Sequence, residues 1–254
     1  MRRAVIILLI LLLLSVTAVA SWMAIKEYRQ YESAEELYEK LQDEFVETKP
    51  TEKTTPDEST GPTEPIEVAP ITIDFVSLME QNSDVVGWIY CQDTPINYPV
   101  VQAKDNDKYL RRDLNGKYLV SGTVFVDYRN GAIGEDSNYI VYGHNMKDGT
   151  MFSSLAKYKE QSYYDQHPVL YFLTPTGDYK IELYAGIVVK RDALIYVPNP
   201  DETDLAKFLS NAKEKSTFKS MVEITENDTL ITLSTCSYEY NHARYIVIGK
   251  LNRV

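Results

Sequence analysis

An uninterrupted apolar segment near the N-terminus constrains this chain more than any other feature. Residues 4–25 include no charged side chain, and residues 5–14 are ten consecutive aliphatic residues. As a helix, the segment is long enough to cross a bilayer, which requires about 20 residues. Arg2 and Arg3 precede it, which favours a cytoplasmic N-terminus and an exported remainder. The sequence therefore predicts a single-pass protein of the cell membrane with its folded part outside the cell.

The same segment also fits a cleaved signal peptide. Ala18-Val19-Ala20 has the small-x-small form of a processing site after an apolar core. Because apolar character continues through Trp22 and Met23, we expect an uncleaved anchor over residues 4–25, with residues 1–3 in the cytoplasm. In both interpretations the body of the protein lies outside the cytoplasm.

The composition changes twice after the apolar segment. Apolar residues recur at intervals of three and four from Tyr31 to Phe45, which predicts an amphipathic helix in a juxtamembrane stalk over residues 26–47. A partly formed, solvated stalk fits this pattern equally well. Residues 48–70 are rich in Thr, Pro and Glu without apolar periodicity, which predicts a flexible linker. The folded domain is then expected over residues 71–254.

Charge and composition argue against two kinds of ligand. The 37 acidic and 26 basic residues give a net charge of −11, and no Lys/Arg-rich block follows the first few residues. A protein that neutralises nucleic-acid phosphates needs such a block, so no nucleic-acid partner is expected. The three histidines and two cysteines match no metal-ligand spacing, and no metal or other cofactor is predicted.

Short strands dominate the predicted domain. Apolar and β-branched runs, separated by Asp, Asn, Gly and Pro, predict strands at residues 85–90, 96–101, 122–126, 139–142, 170–173, 179–189, 230–235 and 245–251. Helices are expected after a capping Asp74 and over residues 201–213, whose apolar residues share one face. Many short strands with few helices predict a mainly β fold, a closed or nearly closed barrel.

The run Thr232-Leu233-Ser234-Thr235-Cys236 ends a predicted strand on one of only two cysteines. Arg244 lies near the start of the next predicted strand, and the seven residues 237–243 suffice for a hairpin, which would place Cys236 and Arg244 on adjacent strands. A nearby cation stabilises the thiolate, which is the nucleophilic form of cysteine. A guanidinium can also donate to a developing oxyanion. This pairing predicts a site for nucleophilic catalysis.

Blander interpretations of the same residues stay open. His144 follows a predicted strand in Tyr142-Gly143-His144, where functional side chains often lie, but a loop histidine bonded to its own backbone also fits. Cys236 can be a small buried side chain or form a disulfide with Cys91. Arg244 can be a solvated strand-end residue. His144 precedes Cys236, unlike the order in papain-like enzymes, and the caspase signature Gln-Ala-Cys-x-Gly is absent.

Together these motifs resemble the sortases, which are membrane-anchored cysteine transpeptidases of Gram-positive bacteria, and specifically their class B. The run ending at Cys236 matches the family's T-L-x-T-C signature, Tyr142-Gly143-His144 matches its histidine motif, and Arg244 matches its strand-borne arginine. The further stretches that resemble class B are residues 84–89, 96–102, 143–146 and 149–152. The likeness extends from about residue 72 to the end of the chain.

The resemblance implies a sortase-type barrel of about eight strands, with an N-terminal helix and a helix before the cysteine-bearing strand. It implies that Cys236 attacks a C-terminal sorting signal, such as LPxTG or NPxTN, of a secreted surface protein or pilin and forms a thioacyl enzyme. An amine of a peptidoglycan precursor or of a pilin then resolves it. His144 would transfer protons and Arg244 would stabilise the oxyanion. Substrate-binding roles are implied for Thr235, Ser234, Asn97 and Tyr142.

The chain departs from the family pattern at Tyr90-Cys91-Gln92, where a second thiol occurs that the family does not use. We expect Cys91 to be structural or incidental. The loop after Cys236 is short, so contact of Glu239 or His242 with substrate stays open. Two other functions also remain open: a membrane-tethered cysteine endopeptidase, in which water resolves the acyl enzyme, and a non-catalytic binding module.

Overall fold

The computed structural model describes residues 2–49 and 68–254, so most of the predicted linker lies outside the described residues. The α-helices are α1 (Arg2–Phe45), α2 (Phe75–Gln81), α3 (Gln161–Gln166) and α4 (Glu202–Glu214). The strands are β1 (Val46–Thr48), β2 (Ile71–Ile73), β3 (Val85–Tyr90), β4 (Asn97–Val101), β5 (Val124–Val126), β6 (Asn138–Tyr142), β7 (Val169–Thr174), β8 (Gly177–Lys190), β9 (Leu230–Cys236) and β10 (Ala243–Arg253). Short 3-10 helices occupy Phe152–Lys159 and Leu194–Tyr196.

Eight of these strands close into a barrel in the order β10-β8-β7-β3-β4-β5-β6-β9. Neighbours are antiparallel except in the pairs β4–β5 and β6–β9, which are parallel. The predicted closed barrel, with a helix at its N-terminus and a helix before the cysteine-bearing strand, is confirmed. Because β6 and β9 are parallel neighbours, the barrel brings the ends of the histidine-bearing and cysteine-bearing strands together.

Side chains of β9 alternate between two apolar clusters, as expected for a strand that is buried on both faces. Ile231 and Leu233 belong to a large cluster that also contains Trp88. Leu230 belongs to a second cluster, in which Leu209 of α4 covers the other face of the sheet. A one-residue slip would exchange these two faces, so the burial fixes the register of β9 and the position of its last residue.

Helix α1 is one continuous element that contains the predicted membrane segment and most of the predicted stalk. Its most apolar stretch has a mean hydropathy of 2.7, is not buried, and is long and apolar enough to cross a membrane. Its last turns pack on the barrel, where Tyr38, Leu41 and Phe45 are 5%, 2% and 4% exposed. Burial of each such side chain contributes about 1.5–3 kcal/mol, so these turns belong to the folded body.

Backbone hydrogen bonds connect the residues before the linker to the residues after it. β1 and β2 are antiparallel, with Thr48 opposite Ile71, and the amide of Lys49 donates to the carbonyl of Pro70 at 3.0 Å. Thr48, which the sequence pattern assigns to the linker, therefore lies in a strand. A strand of three residues is too short to show a hydrophobic periodicity in the sequence. The domain boundary at residue 71 stays a prediction. The folded unit that contains residue 71 also includes the end of α1 and β1.

Candidate active site

The hairpin of β9 and β10 places a thiol opposite a guanidinium. In the register of this antiparallel pair, Arg244 lies directly opposite Cys236. Residues paired in this way have Cα atoms about 4.5–5.5 Å apart. The thiol of Cys236 is half-buried, and both it and Cys91 are free, so the disulfide considered from the sequence is not formed. The site therefore combines an unblocked thiol with a cation on the neighbouring strand.

His144 is held against the cysteine-bearing strand by the residues on both sides of it. The hydroxyl of Thr235 donates to the carbonyl of Gly143 at 2.9 Å. The side-chain amide of Asn145 donates to the carbonyl of Cys236 at 2.8 Å. Because these bonds flank His144 in sequence, they fix its backbone beside Cys236.

Gly143 is required for the tight packing under this loop. A Cβ atom at Gly143 would lie 2.5 Å from Cγ of Phe152, closer than real contacts allow. Phe152 is fully buried, and its amide donates to the carbonyl of His144 at 3.0 Å. The buried phenyl ring therefore supports the loop from below, and any larger residue at position 143 would displace His144.

The surroundings of His144 set its protonation. Its Nε2 lies 2.7 Å from the carbonyl of Leu110, and because a carbonyl only accepts, Nε2 carries a proton. Nδ1 is then the nitrogen available for proton exchange. Burial lowers the pKa of His144 below its usual 6.5; the Leu110 carbonyl opposes this, and the charges of Arg111 and Arg244 add to it. The ring is therefore neutral near pH 7 and can accept a proton.

Arg244 keeps an unneutralised charge. Its Nη1 donates to the carbonyl of Ala243 at 3.0 Å. Within the described residues, no carboxylate forms an ion pair with its guanidinium. Most of its fixed fork of N–H donors is thus available to an anionic or carbonyl oxygen beside Cys236.

Comparison with known proteins agrees with this geometry. The sequence model of the Sortase domain matches residues 89–252, a range that contains the thiol, the imidazole and the guanidinium described above. This chain belongs to the sortase family.

Its relatives place it in class B. It is 38% identical over 178 residues to Sortase B of Listeria monocytogenes serovar 1/2a, covering 68% of this chain and 72% of the relative. It is 36% identical over 183 residues to Sortase B of Staphylococcus aureus strain NCTC 8325, covering 71% of this chain and 75% of the relative. The resemblance drawn from the sequence motifs is confirmed, and the chain is a sortase-type enzyme.

Solved structures give the same result. The S. aureus sortase B–substrate complex is 34% identical to this chain and superimposes with a TM-score of 0.67, covering 71% of this chain and 85% of that one. A sortase B from B. anthracis is 31% identical with a TM-score of 0.71, covering 89% of this chain and 100% of that one. The barrel and its N-terminal helix are therefore those of a class B sortase.

Asp127 is a buried carboxylate of this sortase that sequence reasoning missed. It accepts hydrogen bonds from the Tyr142 hydroxyl at 2.9 Å, from Asn106 Nδ2 at 3.0 Å, and from Nε and Nη2 of Arg129 at 2.8 Å each. Burial raises the pKa of Asp127, but the bonds from Arg129, Asn106 and Tyr142 outweigh it and hold the pKa below its usual value. Asp127 is therefore an ionised anchor that joins its own turn to the segments of Asn106 and Tyr142.

The same network continues to the strand that carries the nucleophile. The ring of Tyr142 stacks on that of Tyr196, with centroids 6.0 Å apart. The hydroxyl of Tyr196 shares a hydrogen bond with Oγ of Ser234 at 2.8 Å. Tyr142 precedes Gly143-His144, and Ser234 is two residues before Cys236, so the network links both sides of the site. In the sequence, Asp127 is only one acidic residue after a short strand, which gives no signal of this role.

The implied substrate-binding residues of β6 and β9 support the site in this structure. Ser234 and Thr235 are 1% and 2% exposed, and their hydroxyls bond to Tyr196 and Gly143. The hydroxyl of Tyr142 bonds to Asp127. Direct substrate contact by these three side chains stays a prediction.

Asn97 lies further from the nucleophile. It is on β4, and β5 and β6 lie between it and β9. Its Oδ1 accepts from Nε1 of Trp88 at 2.7 Å, and its carbonyl accepts from Nε2 of Gln42 on α1 at 2.8 Å. The structure thus connects Asn97 to α1 and β3, and its substrate-binding role also stays a prediction.

Glu239 is engaged by its own loop and by the 3-10 helix Phe152–Lys159. Its carboxylate binds Nζ of Lys159 and the hydroxyl of Ser237. Both bonds favour the ionised form and lower the pKa of Glu239 to about 2. The loop that follows the nucleophile is thus tied to the segment that follows His144.

Proposed function

We propose that this sortase is a membrane-anchored cysteine transpeptidase. It cleaves a C-terminal sorting signal of LPxTG or NPxTN type in a secreted surface protein or pilin and transfers the acyl group to an amine of the cell wall or of a pilin. One observation carries the proposal: the free thiol of Cys236 lies opposite Arg244, and both neighbours of His144 bond to the same strand. The S. aureus relative has been solved in a substrate complex, and a sortase B has been solved with triglycine, which supports peptide and amine partners.

In the acylation step, the neutral His144 accepts the thiol proton of Cys236 through Nδ1. The thiolate then attacks the carbonyl carbon of the signal, and the N–H fork of Arg244 donates to the oxyanion. The tetrahedral intermediate collapses with cleavage of the C–N bond. His144 returns its proton to the leaving amine, which leaves a thioester on Cys236.

In the deacylation step, an amine attacks the thioester carbonyl. His144 accepts a proton from the incoming amine, and Arg244 again stabilises the oxyanion. The C–S bond breaks, a new amide forms, and the proton on His144 returns to the sulfur. Neither step requires a metal or a redox partner.

The test uses the full chain in detergent, because the end of α1 is part of the folded body. Peptides of LPxTG and NPxTN type are supplied with and without triglycine, and products are identified by mass spectrometry. We expect cleavage and a peptide–triglycine amide, which Cys236→Ala abolishes and Cys91→Ala preserves. A free acid as the sole product in excess amine would establish an endopeptidase instead. Binding that survives Cys236→Ala, without cleavage by the native chain, would establish a binding module.

The same proposal assigns the barrel to the outside of the cell. The uncharged segment of α1 is long and apolar enough to span the bilayer, and Arg2 and Arg3 favour a cytoplasmic N-terminus. Protease added to intact protoplasts should degrade the barrel, and degradation only after lysis would contradict this orientation.

A further inference from the structure

Helix α1 lies along the barrel and connects two landmarks. One is the end of the apolar segment at residue 25, where the hydrocarbon region should end. The other is Phe45, whose carbonyl accepts the amide of Asp74 just before α2. The helix covers about 27 Å between Glu27 and Phe45, at 1.5 Å per residue. The contacts of α1 with the barrel therefore show which end of the barrel lies next to the apolar segment.

The first contact of α1 with the barrel, just beyond the apolar segment, lies near the catalytic end. Nζ of Lys147 is 3.8 Å from Oε1 of Glu27. Lys147 follows His144 by three residues, a span of at most about 11 Å. Further along α1, Glu35 lines the same surface cleft as Thr150, so α1 stays beside the loop that follows His144.

The last turns of α1 lie at the opposite end. Lys49, just after β1, is close enough to Asp178 to influence its pKa, and the amide of Val254 donates to the carbonyl of Asp178 at 3.0 Å. Val254 follows the C-terminal end of β10, whereas Arg244 lies near its start. The helix thus runs from the catalytic end of the barrel to the end that is remote from Cys236.

The geometry points to a membrane-facing active site: the catalytic end of the barrel lies against the lipid headgroups, at the contact between Glu27 and Lys147. This inference rests on the proposed role of α1 as an anchor and deepens it. Glu27 is two residues beyond the apolar segment, about 3 Å along the helix. The headgroup layer is about 5–8 Å thick, so Glu27 and the Lys147 side chain lie within it.

The exposed side chains at this end suit a lipid surface. Lys147 is 85% exposed and can pair with lipid phosphates. The loop between Cys236 and Arg244 presents Tyr238 and Tyr240, which are 78% and 43% exposed. Tyrosine is enriched where membrane proteins meet headgroups, since its ring is amphipathic. The site would therefore act on donor and acceptor groups that are held at the membrane surface.

The test measures the depth of a label at each end of the barrel. The full chain, with Cys91→Ala and Cys236→Ala, receives a fluorophore at Lys147→Cys or at the matched control Thr176→Cys, an exposed site in the turn between β7 and β8, close to Asp178 at the remote end of the barrel. Each protein is reconstituted in phosphatidylcholine–phosphatidylglycerol vesicles with a headgroup nitroxide lipid as quencher. We expect strong quenching at position 147 and little at position 176. Equal quenching, or stronger quenching at position 176, would overturn the proposal.

An insertion in α1 tests whether this helix, rather than nonspecific adsorption of the barrel to lipid, sets the orientation. Seven alanines between Lys26 and Glu27 extend the helix by two turns and raise the barrel by about 10 Å with nearly the same rotation. Quenching at position 147 should then fall towards the value at position 176, and unchanged quenching would contradict an orientation set by α1. A chain that does not float with the vesicles would overturn both the anchor and the orientation. Peptide transfer by the native chain in detergent is scored separately, so it can succeed while the orientation fails.

Discussion

The two thiols of this sortase lie in opposite surroundings. Cys91 follows β3, is 1% exposed, and has its Sγ 3.8 Å from the Tyr158 hydroxyl and 3.7 Å from the carbonyl of Val169. Burial raises its pKa, which disfavours the thiolate. Cys236 ends a strand, is half-buried, and lies opposite the charge of Arg244. The position in the barrel, rather than the residue type, therefore makes Cys236 the proposed nucleophile and Cys91 a core side chain.

The largest expected difference is between alanine substitutions of the two cysteines. Cys236→Ala should lower the rate of peptide cleavage by at least about 10³-fold, because it removes the thiol that forms the proposed acyl enzyme. Cys91→Ala should leave the rate within about twofold and cost about 1 kcal/mol of unfolding free energy through a small cavity. Steady-state kinetics and thermal unfolding of both variants check this. Loss of cleavage in the Cys91 variant alone would reverse the assignment.

Arg244 is the second feature that distinguishes the two thiols. Arg244→Ala should lower kcat by about 10²–10³-fold, since removing an oxyanion donor has an effect of this size. Arg244→Lys keeps the charge but loses the planar fork, so its loss should be smaller than that of the alanine variant. The measurement is single-turnover acylation by a sorting peptide. Equal rates in the native enzyme and the alanine variant would remove Arg244 from the mechanism.

A matched pair of substitutions compares the polar networks around the two thiols. Asp127→Asn weakens the hydrogen bond that anchors Tyr142. Tyr158→Phe removes the hydroxyl beside Cys91; this hydroxyl also donates to the His167 carbonyl at 2.8 Å. Each should cost about 1–3 kcal/mol of stability. Only Asp127→Asn should lower kcat, by about 10-fold or more, because small misplacements of catalytic groups cost up to about 100-fold.

The readout for Asp127 must exclude simple loss of stability. We expect KM to change little, the pH profile of kcat to shift, and Asp127→Glu to recover part of the rate by keeping the charge. A purely structural role would be indicated by identical kcat values and pH profiles in the Asp127→Asn and Tyr158→Phe variants.

The smallest expected effect concerns the protonation of His144. Its native pKa lies below the usual 6.5, so the unfolded chain binds this proton more readily. Stability should therefore fall as the pH drops from 6.5 through the native pKa, and the acid limb of kcat/KM should lie below pH 6.5. Arg111→Gln removes a cation and should raise the pKa of His144. NMR titration of labelled histidine in the native chain and in the Arg111→Gln variant measures both pKa values, and the His144→Gln variant assigns the signal. A native pKa above 6.5 would show that burial does not control the protonation of His144.

The barrel and the proximity of Cys236, Arg244 and the His144 loop could be predicted, because local sequence patterns indicate them. Buried strands appear as apolar runs, and the residues around Cys236, His144 and Arg244 are short motifs with specific chemistry. Asp127 could not be predicted, because its role depends on partners brought together only by barrel closure. The packing of Leu41 was also ambiguous, since an amphipathic pattern is the same in a solvated stalk and in a helix that docks on a barrel.

Locating the acyl group tests the identity of the nucleophile. The full chain is incubated with a sorting peptide without added amine, quenched in acid, digested, and mapped by mass spectrometry. We predict a thioester adduct of the N-terminal peptide fragment on Cys236, which disappears as triglycine is added and the amide product forms. An adduct on Cys91, or peptide cleavage by the Cys236→Ala variant, would contradict the assignment of Cys236 as the nucleophile.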